Sequence, residues 1–182
     1  MRFLVVAACV LAGCASSPPT QFYTFSAGNV AGVTAVAANE YAIIVGPAVV
    51  PSTVDRPQLV LRLSENRVAL AEQARWAEPL RGAIARVVSA NLAAAMNGKV
   101  APQRGDPDYR VTLDVQRFES TLGAEVLIDA VWGITPKSGE RRVGRSVARE
   151  KARGPDYDGL AAAHSAALAT VSREIAAAIP KP

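Results

Sequence analysis

The sequence predicts a single α+β domain in which two long helices pack on one face of a mostly antiparallel or mixed sheet. Several short segments alternate apolar and polar residues, which is typical of half-buried strands. Two longer segments repeat apolar residues at helical spacing, and no repeat or linker separates them from the strands. The predicted order is β-β-β-β-α-β-β-β-α, and 182 residues suit one domain.

Four strands are predicted before the first helix. They cover residues 21–26, 41–50, 58–64 and 67–72. Gly46 and Pro47 interrupt the second strand, and because proline cannot donate to a ladder they indicate a bulge or an edge strand. Glu65 and Asn66 form a tight turn, so the third and fourth strands are predicted to make a hairpin.

The first helix is predicted to begin at Pro79, where the missing N–H costs nothing, and to end before a Gly98 cap. Its apolar face comprises Leu80, Ile84, Val87, Val88, Leu92 and Ala95. Three strands then follow near residues 109–116, 124–134 and 142–152, and a second helix spans 156–179. Its inner face comprises Leu160, His164, Leu168, Val171, Ile175 and Ile179.

The N-terminus has the pattern of a secretory signal, with Arg2 before an apolar stretch and small residues after it. It ends in Leu-Ala-Gly-Cys at residues 11–14, which resembles the lipobox of bacterial lipoproteins. That resemblance implies cleavage of residues 1–13 and attachment of a diacylglycerol and an N-acyl chain, such as palmitate, to Cys14. An ordinary secreted protein with an incidental cysteine is the alternative interpretation.

Residues 14–20 form the predicted tether of this anchor, and residues 21–182 form the domain. Fully extended, the six residues after Cys14 reach only about 20 Å, which keeps the domain close to the membrane. Ala15 follows the cysteine, whereas many inner-membrane lipoproteins carry aspartate there. By analogy, the protein is expected at the outer membrane, facing the periplasm.

Composition argues against several function classes. One histidine and two cysteines are too few for a Cys/His zinc site within one chain, so no metal site is predicted. No apolar run reaches the roughly 18–20 residues that span a bilayer. The formal net charge of +4 is too small to indicate nucleic-acid binding by itself. No cofactor is predicted apart from the acyl chains on Cys14.

The sequence offers no convincing catalytic group, so no enzyme activity is predicted. His164 lies on the apolar stripe of the last helix and is interpreted as a core residue. Asp106 and Asp108 are explained by turn formation. Glu125 and Asp129 share a strand face about 13 Å apart, which exceeds the separation of glycosidase carboxylates.

A basic segment at residues 137–153 is the first candidate contact surface. Arg141, Arg145 and Arg149 share one strand parity, so their side chains are expected on one face. Such a face could bind lipid headgroups or an acidic partner. The alternative is a solvated hairpin face without a binding role.

Three motifs together resemble one known family. They are residues 45–51 (VGPAVVP), 55–60 (DRPQLV) and 76–80 (WAEPL). The set resembles the ABC-type transport auxiliary lipoprotein (PqiC-like) family, and an early Phe-Tyr-x-Phe strand and a long final helix extend the likeness. The resemblance implies a non-catalytic subunit that docks or receives the periplasmic conduit of an intermembrane lipid-transport system and supports envelope integrity.

The same resemblance implies partners: an MCE-domain protein, ABC-transporter components of the inner membrane, membrane phospholipid and further copies of the chain. The second candidate contact surface is the DRPQ corner. Pro57 restricts Arg56 to extended conformations, and the side chain of Asp55 is expected to close the turn. Arg56, with Asp55 and Gln58 beside it, could then bind a carboxylate or phosphate.

Two alternatives remain open at this point. The corner could serve only to set strand geometry, and Trp76 could be a core residue instead of part of a contact surface. The whole protein could also be a lipid-binding carrier or an envelope-assembly lipoprotein with its own apolar pocket.

Overall fold

The structure, a computed structural model, describes residues 18–28, 42–96, 99–100 and 106–179. The predicted signal, Cys14, the connection before residue 42 and the Gly98 cap lie outside these residues. The strands are β1 (Gln21–Tyr23), β2 (Ala42–Val45), β3 (Gln58–Ser64), β4 (Arg67–Trp76), β5 (Lys99–Val100), β6 (Tyr109–Thr121), β7 (Glu125–Pro136) and β8 (Arg142–Lys151). The helices are α1 (Leu80–Met96) and α2 (Tyr157–Ala178).

The predicted α+β class and element order are confirmed, with the two-residue strand β5 as an addition after α1. The described strands form two sheets, ordered β1-β4-β3 and β5-β2-β6-β7-β8. The prediction of one sheet therefore needs refinement. After Pro47, Val49 makes only an isolated bridge to Asp114, and the next turn carries the chain into the smaller sheet.

Pairing between distant segments lengthens two strands beyond their predicted ends. β4 continues to Trp76 because β1 pairs with it in parallel, Gln21 opposite Ala74. β6 continues to Thr121 past a bulge between Val115 and Arg117. The bulge shifts the alternation by one residue. Phe118 therefore faces inward like Val115, although the two residues are three positions apart.

Both helices pack on one face of the five-stranded sheet. α2 packs on β7 and β8, and α1 packs against α2 and β2. The predicted inner face of α2 is confirmed, because all six of its residues are buried. The predicted face of α1 is confirmed except for Ala95, which is exposed. Since α1 contacts α2, β2 and β5, its buried surface is broader than a stripe and includes Ala83 and Ala85.

An aromatic cluster joins the two sheets to α2. Phe25 lies 4.6 Å from Trp76 between ring centroids, and Phe118 stacks on His164 at 4.1 Å. The interpretation of Trp76 as a core residue is thus confirmed, since its side chain is buried inside this cluster. Among the described residues, no helix is long and apolar enough to cross a membrane.

Two glycines at the third positions of the two helices allow a matched stability test. A Cβ at Gly159 would lie 2.4 Å from the carbonyl oxygen of Arg153, whereas a Cβ at Gly82 meets nothing within 4 Å. Gly159→Ala is therefore expected to lower the free energy of unfolding by about 1–3 kcal/mol. Gly82→Ala should raise it by about 0.5–1 kcal/mol through helix propensity. Urea unfolding of both variants measures this, and an unchanged midpoint for Gly159→Ala would contradict the predicted clash.

Candidate functional site

The DRPQ corner is a turn held by backbone hydrogen bonds. The Val54 N–H donates to the Pro51 carbonyl at 3.0 Å, and the Arg56 N–H donates to the Val54 carbonyl at 2.8 Å. The Trp76 N–H donates to the Pro57 carbonyl at 2.7 Å, which ties the corner to the end of β4. The buried Val54 side chain adds an apolar anchor, so the corner is fixed on both sides.

The side chain of Asp55 does not close the turn, which corrects the prediction. Its carboxylate instead accepts a hydrogen bond from Arg81 Nε at 2.9 Å, and a terminal guanidinium nitrogen of Arg81 lies 2.6 Å from the same oxygen. Both partners of this bond are ionised, so it is charge-assisted. Arg81 lies in the first turn of α1, so the ion pair fixes the corner to the helix. The sequence did not single out Arg81.

Arg56 is the exposed charge of the corner. It forms no ion pair with any residue that the structure describes, although Asp55 and Glu78 lie nearby. Glu78 is already engaged, because it accepts a hydrogen bond from Arg86 Nε at 3.1 Å that lowers the pKa of its carboxyl. Gln58 is half-buried in β3, opposite Arg75. Arg56 is therefore the corner residue best placed to bind an anion.

A groove of about 360 Å³ runs beside Arg56 along the start of α1. Its walls are Asp55, Arg56, Pro57, Trp76, Ala77, Glu78, Pro79 and Leu80. The corner and the WAEPL segment are therefore two sides of one surface feature, although 17 residues of β3, β4 and their turn separate them. The sequence motifs identified both segments but did not indicate that they line the same groove.

Two of the three arginines predicted on the face of the basic segment are paired with carboxylates. Arg145 forms two hydrogen bonds to Asp129, of 2.8 and 2.6 Å, and Arg149 donates to Glu125 at 2.9 Å. The Asp129 side chain is only 5% exposed, and the hydrogen bonds from Arg145 hold the pKa of its carboxyl below the usual value. Arg141 places its guanidinium over Gly133, where no side chain intervenes. Of these three arginines, Arg141 alone has no carboxylate partner in the described part of the chain.

The ion pairs extend from this face onto the smaller sheet. Glu119 accepts hydrogen bonds from Arg117 at 2.9 Å and from Arg62 at 2.8 Å. Burial by itself would raise the pKa of Glu119, but the bonds and charges of the two arginines keep it below its ordinary value. Sequence reasoning missed this network, because Arg62 belongs to β3 and its contact with β6 is tertiary.

The two candidate surfaces are not brought into one site. The DRPQ corner lies between β3 and the start of α1, whereas the basic segment is the last strand of the larger sheet. In the larger sheet, β6 and β7 lie between β8 and β2. β2 is the strand from which the chain continues to the corner. The acidic pair Asp106 and Asp108 has structural contacts: Lys137 lies 2.6 Å from Asp106, and Asp108 accepts the Ala42 N–H at 2.8 Å.

His164 is a core residue, as predicted. Its ring is fully buried, its Nε2 lies 2.8 Å from the Ser120 hydroxyl, and burial lowers its pKa to about 3. Phe25, Trp76 and Phe118 surround it. Its neutral ring meets no solvent, and it therefore has no access to a substrate.

These features define an α+β domain with a buried aromatic core and a surface that carries several ion pairs. Comparison with known families agrees. The family model described as "ABC-type transport auxiliary lipoprotein component" matches residues 23–176. The chain therefore belongs to that family and is an envelope-associated auxiliary component of an ABC-type transport system. The resemblance found in the sequence motifs is confirmed.

Solved structures share the fold. The crystal structure of an uncharacterized protein has a TM-score of 0.75 and 19% identity, covering 90% of this chain and 100% of its own. Protein XCC0632 from Xanthomonas campestris, of family DUF330, has a TM-score of 0.66 and 18% identity, covering 86% of this chain and 91% of its own. At these identities the likeness shows the fold alone. Among curated proteins, none matches the sequence.

Proposed function

We propose that this protein is a non-catalytic outer-membrane subunit of an ABC/MCE-type intermembrane lipid-transport system. It docks or receives the conduit that crosses the periplasm, and it thereby supports envelope integrity. The observation that carries the proposal is the family match over residues 23–176. Acylation of Cys14 supplies the anchor, and the Ala15 argument favours the outer membrane.

The surface beside Arg56 supports a docking role. A rigid corner presents a guanidinium that no described side chain neutralises, next to a groove of about 360 Å³. An acidic residue of an MCE-domain protein or of an ABC-transporter component would pair with this guanidinium in bidentate geometry. Arg145 and Arg149 are secondary contacts, because binding there must compete with Asp129 and Glu125.

Self-association is a second part of the proposal. Strand β8 is the last strand of the larger sheet in the described part of the chain, and it is ten residues long. An edge strand of this length offers backbone donors and acceptors to a further copy of the chain. A homo-oligomer would also repeat the Arg56 surface around the conduit.

The carrier alternative has less support from the geometry. The three described grooves, of about 190, 530 and 360 Å³, each have charged residues in their walls. Arg62 and Glu119 line the first, Asp158 lines the second, and Asp55 lines the third. A site for acyl chains must also enclose most of the ligand's surface, whereas these three grooves are open to solvent, so stoichiometric phospholipid is not expected in the purified domain.

Photocross-linking in intact cells tests the docking role. A photoreactive amino acid at Arg56 is expected to give adducts with an inner-membrane transport component, because this side chain lies exposed at the corner. Arg173, an exposed arginine on α2, is the matched control position. Mass spectrometry identifies the adducts.

The result is decisive in either direction. Transporter or MCE-domain adducts from position 56 and none from position 173 would establish docking at the corner. Absence of such adducts from positions 56, 145 and 149, at normal abundance of the protein, would overturn the proposal. Adducts with lipid alone would favour the carrier function instead.

A further inference from the structure

The guanidinium of Arg141 is seated on a glycine of the larger sheet. A Cβ at Gly133 of β7 would lie 2.6 and 2.8 Å from two guanidinium nitrogens of Arg141, so the guanidinium fills the space of the missing side chain. The hydroxyl oxygen of Thr112 on β6 lies 2.9 Å from the same point. The guanidinium and the hydroxyl are therefore neighbours on the outer face of the sheet, the face that α2 does not cover.

Both groups are available to a ligand. Arg141 is exposed and forms no ion pair within the described part of the chain, whereas the other two arginines of its face bind carboxylates. Asp114, the next outward residue of β6 after Thr112, does not pair with it either. The Thr112 hydroxyl makes only a long contact of 3.5 Å with the Gly133 carbonyl. All five N–H donors of the guanidinium therefore remain for another partner.

Arg110 supplies a second cation on the same face. It lies two residues before Thr112 on β6, about 7 Å along the strand, and its side chain is also exposed. Arg110 lies opposite Thr135 of β7, and the register of β7 with β8 brings Arg141 to the other side of Thr135. Arg110 forms no ion pair with any carboxylate that the structure describes. Two guanidinium groups without carboxylate partners thus flank two threonine hydroxyls.

We propose that this surface, the phosphate site formed by Arg110, Thr112, Thr135 and Arg141 around Gly133, binds the phosphate group of a ligand. Each guanidinium can donate two parallel hydrogen bonds to phosphate oxygens, and the hydroxyls can donate to the oxygens that remain. A carboxylate has only two oxygens, too few to engage both guanidiniums in this way. Inorganic phosphate, phosphate esters and phospholipid headgroups share the chemistry that the site recognises.

Gly133 is the positioning residue of the phosphate site. A Cβ there would meet the far ends of side chains and not the backbone of a neighbouring strand. Gly133→Ala is therefore expected to displace the Arg141 guanidinium while the sheet stays intact. The variant keeps every charge of the site and removes only the placement of one of them, which a general attraction between a basic surface and anions would not sense.

A chemical-shift titration of the full chain in detergent micelles tests the phosphate site, with the amides of Thr112 and Gly133 as reporters. The probes are inorganic phosphate, acetate and glycerophosphoglycerol, the water-soluble headgroup of phosphatidylglycerol, at equal ionic strength. Arg110→Gln, Arg141→Gln and Gly133→Ala are compared with the wild type. Arg149→Gln is the matched control, because it makes the same charge change on the same face about 26 Å away, beyond the Debye length.

Phosphate is expected to produce saturable shifts. The dissociation constant should rise at least about tenfold in Arg110→Gln, Arg141→Gln and Gly133→Ala, and less than about twofold in Arg149→Gln. Equal affinity for glycerophosphoglycerol would support a lipid headgroup as the ligand, whereas binding of phosphate alone would support free phosphate or a monoester.

Three results would overturn the inference: no saturable shift with phosphate, acetate binding as tightly as phosphate, or an equal loss of affinity in Arg149→Gln. If Gly133→Ala does not fold, the two arginine variants still decide. The phosphate site does not depend on the docking role, which is tested separately at position 56.

Discussion

Acidification from about pH 7.5 to about pH 4.5 is expected to lower the free energy of unfolding by about 3 kcal/mol through His164 alone. Burial lowers the pKa of this imidazole from 6.5 to about 3, so the folded protein keeps it neutral over that range. The unfolded chain regains an ordinary pKa and binds a proton as the pH falls. Stability is therefore complete above about pH 6.5 and declines until the folded state also takes up a proton, near pH 3.

The decisive measurement is a set of urea unfolding curves between about pH 7.5 and about pH 5, compared for the wild type and His164→Leu. His164 is the only histidine in the sequence, so the substitution removes the side chain that titrates in this interval. The variant loses its bond to Ser120, but the readout is the slope with pH and not the absolute stability. Parallel slopes in the two proteins would show that the ring is not held neutral.

The unfolding measurements stop at about pH 5 because the protonation of several carboxyl groups also changes the stability at lower pH. The pKa values of Glu78, Glu119 and Asp129 are lowered by their arginine partners. Such groups stabilise the fold above their unfolded pKa, and this contribution is lost as the pH falls through the folded pKa. They act in the same direction as His164 but at more acidic pH, so the two effects separate.

Phe25→Ala is expected to lower the free energy of unfolding by about 3–5 kcal/mol, the largest effect foreseen for one substitution. The Phe25 side chain is 2% exposed and contacts the rings of Trp76, Phe118 and His164. Removing it leaves a cavity where β1, β4, β6 and α2 meet. Since these elements cannot all move inward together, little of the lost packing is regained.

The matched control is Phe22→Ala, three residues earlier in the same segment. Phe22 is 65% exposed, so its truncation removes little buried surface and is expected to change stability by less than about 0.5 kcal/mol. Thermal or urea unfolding compares the two variants with the wild type. Similar losses from both would show that Phe25 is not the centre of the core.

Sequence patterns anticipated most of the secondary structure because they report burial along one element. Apolar spacing identified α2 together with the buried position of His164, and alternation identified β6 as far as its bulge. The turn at Glu65 and Asn66 was likewise visible, since turn residues separate two strand-like segments. Each of these features depends on neighbours within about ten residues, which is the range that periodicity covers.

The candidate site was less predictable, because its contacts join distant segments. The chemistry of Asp55 alone indicated an Asx-type turn, but its carboxylate accepts a hydrogen bond from the guanidinium of Arg81 on α1 instead. The arginines of β8 indicated a basic face, but their carboxylate partners lie on the neighbouring strand. Such pairings follow from strand register, which no single segment contains.

The sequence by itself determined the α+β class, the order of the elements, the family through three motifs and the core position of His164. It also contains the signal pattern on which the Cys14 anchor is proposed. Only the tertiary structure decided that the strands form two sheets, that Asp55 pairs with Arg81, and that β1 pairs in parallel with β4. The physical reason is range: periodicity records which face of an element is buried, whereas register and packing decide which elements meet.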